Sequence, residues 1–206
     1  MFLRKQLAEL LRGLRDGRGY PQAVAAPRRG DECVDERGAA VKRKVLGAQN
    51  VSRMCMVCGT ENGAGLHGHF YELEGGELLG VFVARPEHQG YPGRLHGGVA
   101  SMVLDETIGR AINLTNRDAW GVTAQLTVRY RKPVPLDREV RVIGRITKDS
   151  GRLFEGTGEI VLEDGTIAVE AQGKYFRLPI DHIVDGDFTQ QWYADQRALP
   201  AEIDLP

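Results

Sequence analysis

The sequence has few cysteines, no long apolar run and almost no net charge, and each shortage excludes a class of protein. Three cysteines in 206 residues, an odd count, do not make a disulfide framework. A reducing, cytoplasmic setting is therefore expected. The apolar runs are only a few residues long, so no membrane span is expected. The first residues lack the continuous apolar stretch that a secretory leader needs. The formal charge of −1 at pH 7 gives no electrostatic ground for binding nucleic acid. What is present is ordinary: 42% hydrophobic residues, enough for a packed core, in a length that suits one domain with extensions.

Residues 2–15 read as an amphipathic helix. Leu3, Leu7, Leu10, Leu11 and Leu14 follow the helical period among Arg4, Lys5, Arg12 and Arg15, and Asp16-Gly17 ends it. It suits packing on its own domain or on a partner subunit, a membrane surface, or a disordered arm. Residues 17–40, rich in Gly, Pro, Ala and charge, read as a linker. The expected organisation is a helix and linker over 1–50, a core domain over 51–180, and a tail over 181–206 with no clear period.

Within the core, alternation predicts strands near 66–73 and 77–84, a turn-rich loop 85–95 and a helix over 97–114. Strands follow over 121–132, 138–148, 152–163 and 166–177. Asp164-Gly165 between the last two is a strong hairpin signal. Two strands, one long helix and then a run of strands predict an α+β fold, an antiparallel sheet packed on one helix. The sheet's edges call for a partner, so a homo-oligomer is expected.

The segment His96-Gly97-Gly98-Val99-Ala100-Ser101-Met102-Val103-Leu104-Asp105-Glu106 concentrates the chemistry. Ala100, Val103, Leu104, Thr107, Ile108 and Ala111 form the stripe that should face the sheet. Asp105 falls at its margin, with Ser101, Met102, Gly109 and Ile112 on the same face. It suits a general base, or a structural carboxylate paired with Ser101. Gly109 leaves room for a ligand or a second helix. Glu106 points elsewhere, with Arg110 as a surface partner four residues on. Gly97 and Gly98 suit a tight helix entry, and the same geometry offers unpaired N–H groups to a developing oxyanion. Gly97 and Asp105 are eight residues apart, about 12 Å along a helix axis. One reacting carbonyl does not comfortably reach both in a single chain. Two helices antiparallel across a two-fold axis would bring Gly97 of one subunit to Asp105 of the other.

Five motifs carry a family resemblance: Cys55-Met-Val-Cys58-Gly59 with Gly65-Leu66; Gly90-Tyr-Pro-Gly93 before His96-Gly97-Gly98; Leu104-Asp105-Glu106; the run from Thr123 to Tyr130 and Pro133; and Gly173-Lys-Tyr-Phe176. Together they resemble the hotdog-fold acyl-CoA thioesterases of the phenylacetate-degradation type, in the 4-hydroxybenzoyl-CoA thioesterase superfamily, over about 55–178. The resemblance implies a long antiparallel sheet wrapped around one helix and hydrolysis of an acyl-CoA substrate by a homodimer or a dimer of dimers. It implies Asp105 as the carboxylate that attacks, or activates water to attack, the thioester. Gly97 would donate to the thioester oxygen, His96 would shape the pocket and Thr123 would orient water. Gly98, Gln89, Ser101 and Met102 are the expected substrate-binding residues. Neither a metal nor a cofactor is expected, the coenzyme A being part of the substrate. Related enzymes often carry Asn or Gln six residues before the histidine. Here Gly90 holds that position, with Gln89 adjacent.

Cys55 and Cys58 with His67 and His69 imitate a four-ligand zinc site, but the close spacing of the pairs favours reduced structural cysteines. Cys33 falls in the linker, and His182 is expected at the surface. Arg94, Arg129, Arg131 and Lys132 suit coenzyme A phosphates or ordinary solvated strand ends. Two other functions fit. A hydratase or dehydratase of the same fold would use His88 or His96 with Asp105. A non-catalytic acyl-CoA binding protein would not need Asp105.

Overall fold

The computed structural model describes residues 41–206. The helix expected over 2–15, the linker and Cys33 lie outside them. The chain runs through β1 (Val41–Ala48), β2 (Val51–Ser52), β3 (His69–Leu73), β4 (Glu77–Val83), β5 (Gln89–Tyr91) and β6 (Arg94–Leu95) to the helix α1 (Gly97–Arg110). After a short 3-10 turn, Ala111–Leu114, come β7 (Trp120–Tyr130), β8 (Glu139–Asp149), β9 (Leu153–Val161) and β10 (Ile167–Leu178). Two short strands, β11 (Trp192–Tyr193) and β12 (Glu202–Leu205), complete it. The hairpins form where the sequence supplies turn chemistry. Gly165 (φ 79°) and Gly151 (φ 82°) take the left-handed conformation, and Asp164 and Asp149 accept from the following backbone at Thr166 and Gly151.

Eight strands make one sheet in the order β12-β1-β3-β4-β8-β9-β10-β7, antiparallel at every pair. The helix lies across β4 and β7 to β10. Its expected stripe, Ala100, Val103, Leu104, Thr107, Ile108 and Ala111, is buried throughout. Glycines let it come close. A Cβ at Gly144 would stand 2.8 Å from the Thr107 carbonyl oxygen, and Cβ atoms at Gly156 and Gly158 would stand 2.6 and 2.8 Å from the Ile108 side chain. Glycine within a strand costs about 0.5–1 kcal/mol, and burial of Ile108, worth about 1.5–3 kcal/mol, offsets it.

The central strands are buried on both faces. Leu78, Val142 and Ile160 join the helix-side core, while Leu79, Ile143 and Val161 pack with Val45, Leu73 and Leu205 on the other side, as the two-residue period requires. The sheet thus extends past both borders read from the sequence, since Val45 and Leu205 belong to strands outside 51–180. Val41-Lys-Arg-Lys-Val45 carries its alternation among basic residues next to a glycine-rich stretch, so it read as linker. Glu202–Leu205 is only four residues long and pairs with β1, a partner no local pattern reveals. Among the described residues no helix is long and apolar enough to cross a membrane.

Candidate active site

The site begins at the entry to α1. His96 is the N-cap, and its Nδ1 accepts from the Gly98 N–H at 2.9 Å. Its carbonyl accepts from Ala100 at 3.0 Å. Gly97 is the first helical residue, where an N–H has no acceptor within the helix. No described residue accepts from it. Tyr130, from the end of β7, fixes this turn from outside. Its hydroxyl donates to the Gly97 carbonyl at 2.9 Å and meets the Ser101 hydroxyl at 2.6 Å. The Ser101 oxygen also lies 3.1 Å from the Gly97 carbonyl. Ser101 is therefore committed to the helix entry and is not the partner of Asp105.

Asp105 is half-buried, two turns on. Thr123 of β7 donates its hydroxyl to Oδ1 at 2.9 Å and lies 3.1 Å from Oδ2. Tyr175 of β10 donates to Oδ1 at 3.1 Å. Burial raises the proton affinity of the carboxyl above its ordinary value, the two hydroxyls oppose this, and the neighbouring charge of Glu106 adds to the rise.

A register shift aligns the two donors. The pairing of β10 with β7 passes from Lys174–Gln125 to Tyr175–Thr123, leaving Ala124 as the extra residue. Tyr175 is almost fully buried and stacked on Phe154 at 5.0 Å between ring centroids. Glycines form its socket. A Cβ at Gly173 would stand 2.4 Å from the ring, and one at Gly109 would stand 3.3 Å away. Gly109 thus makes room for Tyr175, and it also lines a cavity beside Asp105, as expected of a position left open for a ligand. Burial and the adjacent Asp105 push the Tyr175 hydroxyl well above its ordinary pKa, so it stays protonated and donates.

Beside Asp105 lies a cavity of about 150 Å³ whose walls include Thr123, Trp120 and Trp192. Trp192 comes from the tail and packs edge-on against Trp120 at 5.2 Å, with Phe188 alongside both. Tyr175 and Trp192 are the site residues that sequence reading missed. The glycine two positions before Tyr175, on the same face of its strand, was the available signal for the first; none existed for the second.

Other expectations change. Glu106 and Arg110 do pair, at 2.7 Å, but not at the surface. Arg110 is buried, with its guanidinium carbon 4.4 Å from the Phe70 ring centre and 4.6 Å from that of Trp192. His67 and His69 do not join the cysteines. His69 is engaged by Asp195 at 3.2 Å and by Arg197. His88 is buried between two loops: its Nδ1 accepts from the Arg85 N–H at 3.0 Å, so its Nε2 donates to the Ala64 carbonyl at 2.9 Å. Gly90 lies against His96, where a Cβ would come within 3.2 Å of its Cα and ring. A side chain there would ask His96 to give by a few tenths of an ångström. Gln89 is exposed on β5, and Met102 is half-buried against the core. Of the four basic residues considered, Arg131 is paired with Glu170 at 2.8 Å, while Arg94, Arg129 and Lys132 are exposed. His182 is exposed, as expected.

Residues 92–169, from the loop before α1 into β10, match the family model of the thioesterase superfamily. Mouse acyl-coenzyme A thioesterase THEM4 is 31% identical over 121 residues, 57% of this chain and 51% of that protein. Human acyl-coenzyme A thioesterase 13 is 25% identical over 100 residues, 48% of this chain and 71% of that one. The chain spans about half the length of the THEM4 it matches. Among solved structures, the thioesterase superfamily protein RHA08564 superposes with a TM-score of 0.56 at 26% identity, covering 84% of this chain and 80% of that one. The E. coli PaaI protein of the phenylacetic acid degradation operon has a TM-score of 0.50 at 15% identity, over 55% of this chain and 80% of its own, a likeness of fold alone. The resemblance drawn from the motifs holds, and the fold is the hotdog fold.

Proposed function

From a hotdog fold that resembles the thioesterase superfamily, we propose that this protein hydrolyses an acyl-CoA thioester at two equivalent sites of a homodimer. The observation that carries the proposal is the state of Asp105. Two hydroxyls hold its carboxylate in place, burial makes it a better base, and it lies beside a cavity.

In this reading Asp105 takes a proton from water as the water adds to the thioester carbonyl, with Thr123 orienting the pair. The Gly97 N–H, unpaired at the positive end of the helix dipole, receives the oxyanion. His96 keeps the helix entry in shape and occupies the Gly98 N–H. Collapse of the tetrahedral intermediate breaks the C–S bond. Free acid and coenzyme A leave, the thiolate taking the proton gathered by Asp105. A thiolate leaves readily, so the scheme draws on no cofactor beyond the coenzyme A of the substrate.

The helical distance between Gly97 and Asp105 argues for a site shared by two chains. β7 supports this as the sheet's edge strand, eleven residues long and largely exposed, the kind of edge that pairs with a second copy. A cytoplasmic setting, expected from the cysteine count, would keep Cys55 and Cys58 reduced. A hydratase is disfavoured because His88 has both ring nitrogens engaged within the protein and His96 spends Nδ1 on its cap.

The test is thiol release from short, long and aromatic acyl-CoAs by wild type and Asp105→Asn. Turnover that falls at least ~100-fold in the variant is expected. Undiminished turnover would show the carboxylate misassigned. A change in enoyl absorbance without thiol release would mean a hydratase, and binding without turnover a binding protein.

A further inference from the structure

Cys55 and Cys58 lie on one tight turn outside the site described above. The Gly59 N–H donates to the Cys55 carbonyl at 2.8 Å. A Cβ at Gly59 would stand 2.2 Å from that oxygen, so only glycine lets the turn close. Both cysteines are free. Their sulfurs and a carboxylate oxygen of Glu106 lie within 4.8 Å of one another. Cys55 is half-exposed and Cys58 buried.

We infer that Cys55 and Cys58 are a redox-active pair, in which a hydroperoxide oxidises Cys55 and Cys58 then closes a disulfide across the turn. The surroundings assign the two roles. The Cys55 sulfur accepts from the Val57 N–H at 3.3 Å. A hydrogen bond from Cys58 is the main influence lowering its thiol to about 7, against burial and the charge of Glu106. A half-exposed thiol that ionises near neutrality is the one that attacks peroxide. Cys58 is buried, out of reach of a peroxide in solution, which leaves it the resolving partner. Its sulfur accepts from Arg110 Nη2 at 3.0 Å and from the Ser52 N–H at 3.3 Å.

The same cluster is a poor cation site. The Arg110 guanidinium already sits 3.0 Å from the Cys58 sulfur and 2.7 Å from Glu106, placing a positive charge against two of the three ligands.

The chemistry balances in two steps. The Cys55 thiolate attacks the peroxide O–O bond, giving a sulfenic acid and releasing hydroxide, or alkoxide from an organic hydroperoxide. The Cys58 thiol then attacks the sulfenic sulfur, forming the S–S bond and releasing water. Two thiols are oxidised and one peroxide is reduced. Closing the sulfurs to about 2.05 Å consumes the Cys58 thiol that accepts from Arg110, whose guanidinium faces Trp192 and whose carboxylate partner, Glu106, adjoins Asp105 in the chain.

The experiment treats the full chain with hydrogen peroxide and maps its cysteines by peptide mass spectrometry. The readout is chemical and independent of any turnover. The expected product is a Cys55–Cys58 bridge that removes two of the three thiols and is reversed by dithiothreitol. Bridging should speed up as pH rises through about 7, the value at which the Cys55 thiol ionises. In Cys58→Ser, which keeps a donor to Cys55 but cannot form the bridge, dimedone should trap Cys55 as the sulfenic acid. A thiol count unchanged by excess peroxide would overturn the inference. So would a bridge involving Cys33, or wild-type Cys55 passing to sulfinic acid without bridging.

Discussion

Tyr175 and Thr123 face each other across the β10–β7 ladder, and both hydroxyls donate to the Asp105 carboxylate. The pairing exists because Ala124 is skipped in the register. It ties the protonation of a helix carboxylate to the alignment of two strands.

Tyr175→Phe keeps the ring and removes one donor. That donor lowers the proton affinity of Asp105, so its loss raises it. A base works ionised, so the acid limb of kcat/KM against pH should move to higher pH. Loss of the hydrogen bond should cost about 1 kcal/mol of stability, measured by urea unfolding. An unmoved limb would mean that Asp105 is not the titrating base.

The socket of Tyr175 predicts an order of severity. Gly173→Ala places a methyl group 2.4 Å from the ring and forces it to shift, while Gly109→Ala at 3.3 Å asks for a few tenths of an ångström. Gly173→Ala should cost about 1–3 kcal/mol and lower activity. Gly109→Ala should be milder in both, by thermal unfolding and thiol release.

Gly97→Pro tests the oxyanion donor with little structural damage. Proline suits the first helical position, and His96 before it is already extended at φ −65°, ψ 136°. The N–H is removed, and the added Cβ meets the Tyr130 ring at an ordinary contact distance of 3.4 Å. We expect kcat to fall about 100- to 1,000-fold with unfolding nearly unchanged. Mixed with Asp105→Asn and allowed to exchange subunits, it should recover activity, because one site of each heterodimer would be intact. No recovery would place Gly97 and Asp105 in a single-chain site.

Asp105→Asn should be more stable than wild type at neutral pH. The folded carboxyl binds its proton more tightly than the unfolded one. Wild type therefore loses stability as pH rises from the unfolded value through the raised folded one. The difference between variant and wild type should be present at pH 7 and shrink as pH falls below about 4. Equal stability at both ends would contradict the raised proton affinity.

The sequence made the helix, its buried stripe and the four long strands after it legible, because each carries a period over many residues. Asp105 stood out as a carboxylate at the edge of an apolar stripe. Its true partners did not. Tyr175 reads as one more alternating strand residue until the strand beside it is known to slip by one. Arg110 read as half of a solvated pair because the i, i+4 spacing to Glu106 is local, while Phe70 and Trp192, which bury it, come from distant segments. Gly90, which read as a missing amide, lies close against His96, which a side chain there would push by a few tenths of an ångström.

β1 divides its length between two partners, Val41–Lys44 with β12 and Val45–Ala48 with β3. The first ladder joins segments about 160 residues apart, as in the Lys42–Glu202 ion pair, whereas the β8–β9 and β9–β10 hairpins close over a few residues. Chain closure over that distance is slow and entropically costly until intervening structure brings the segments together. The hairpins around α1 are therefore expected to form early in folding. The β1–β12 ladder, with Val45 and Leu205 sealing the outer core, is a late step whose rate follows the order already achieved elsewhere.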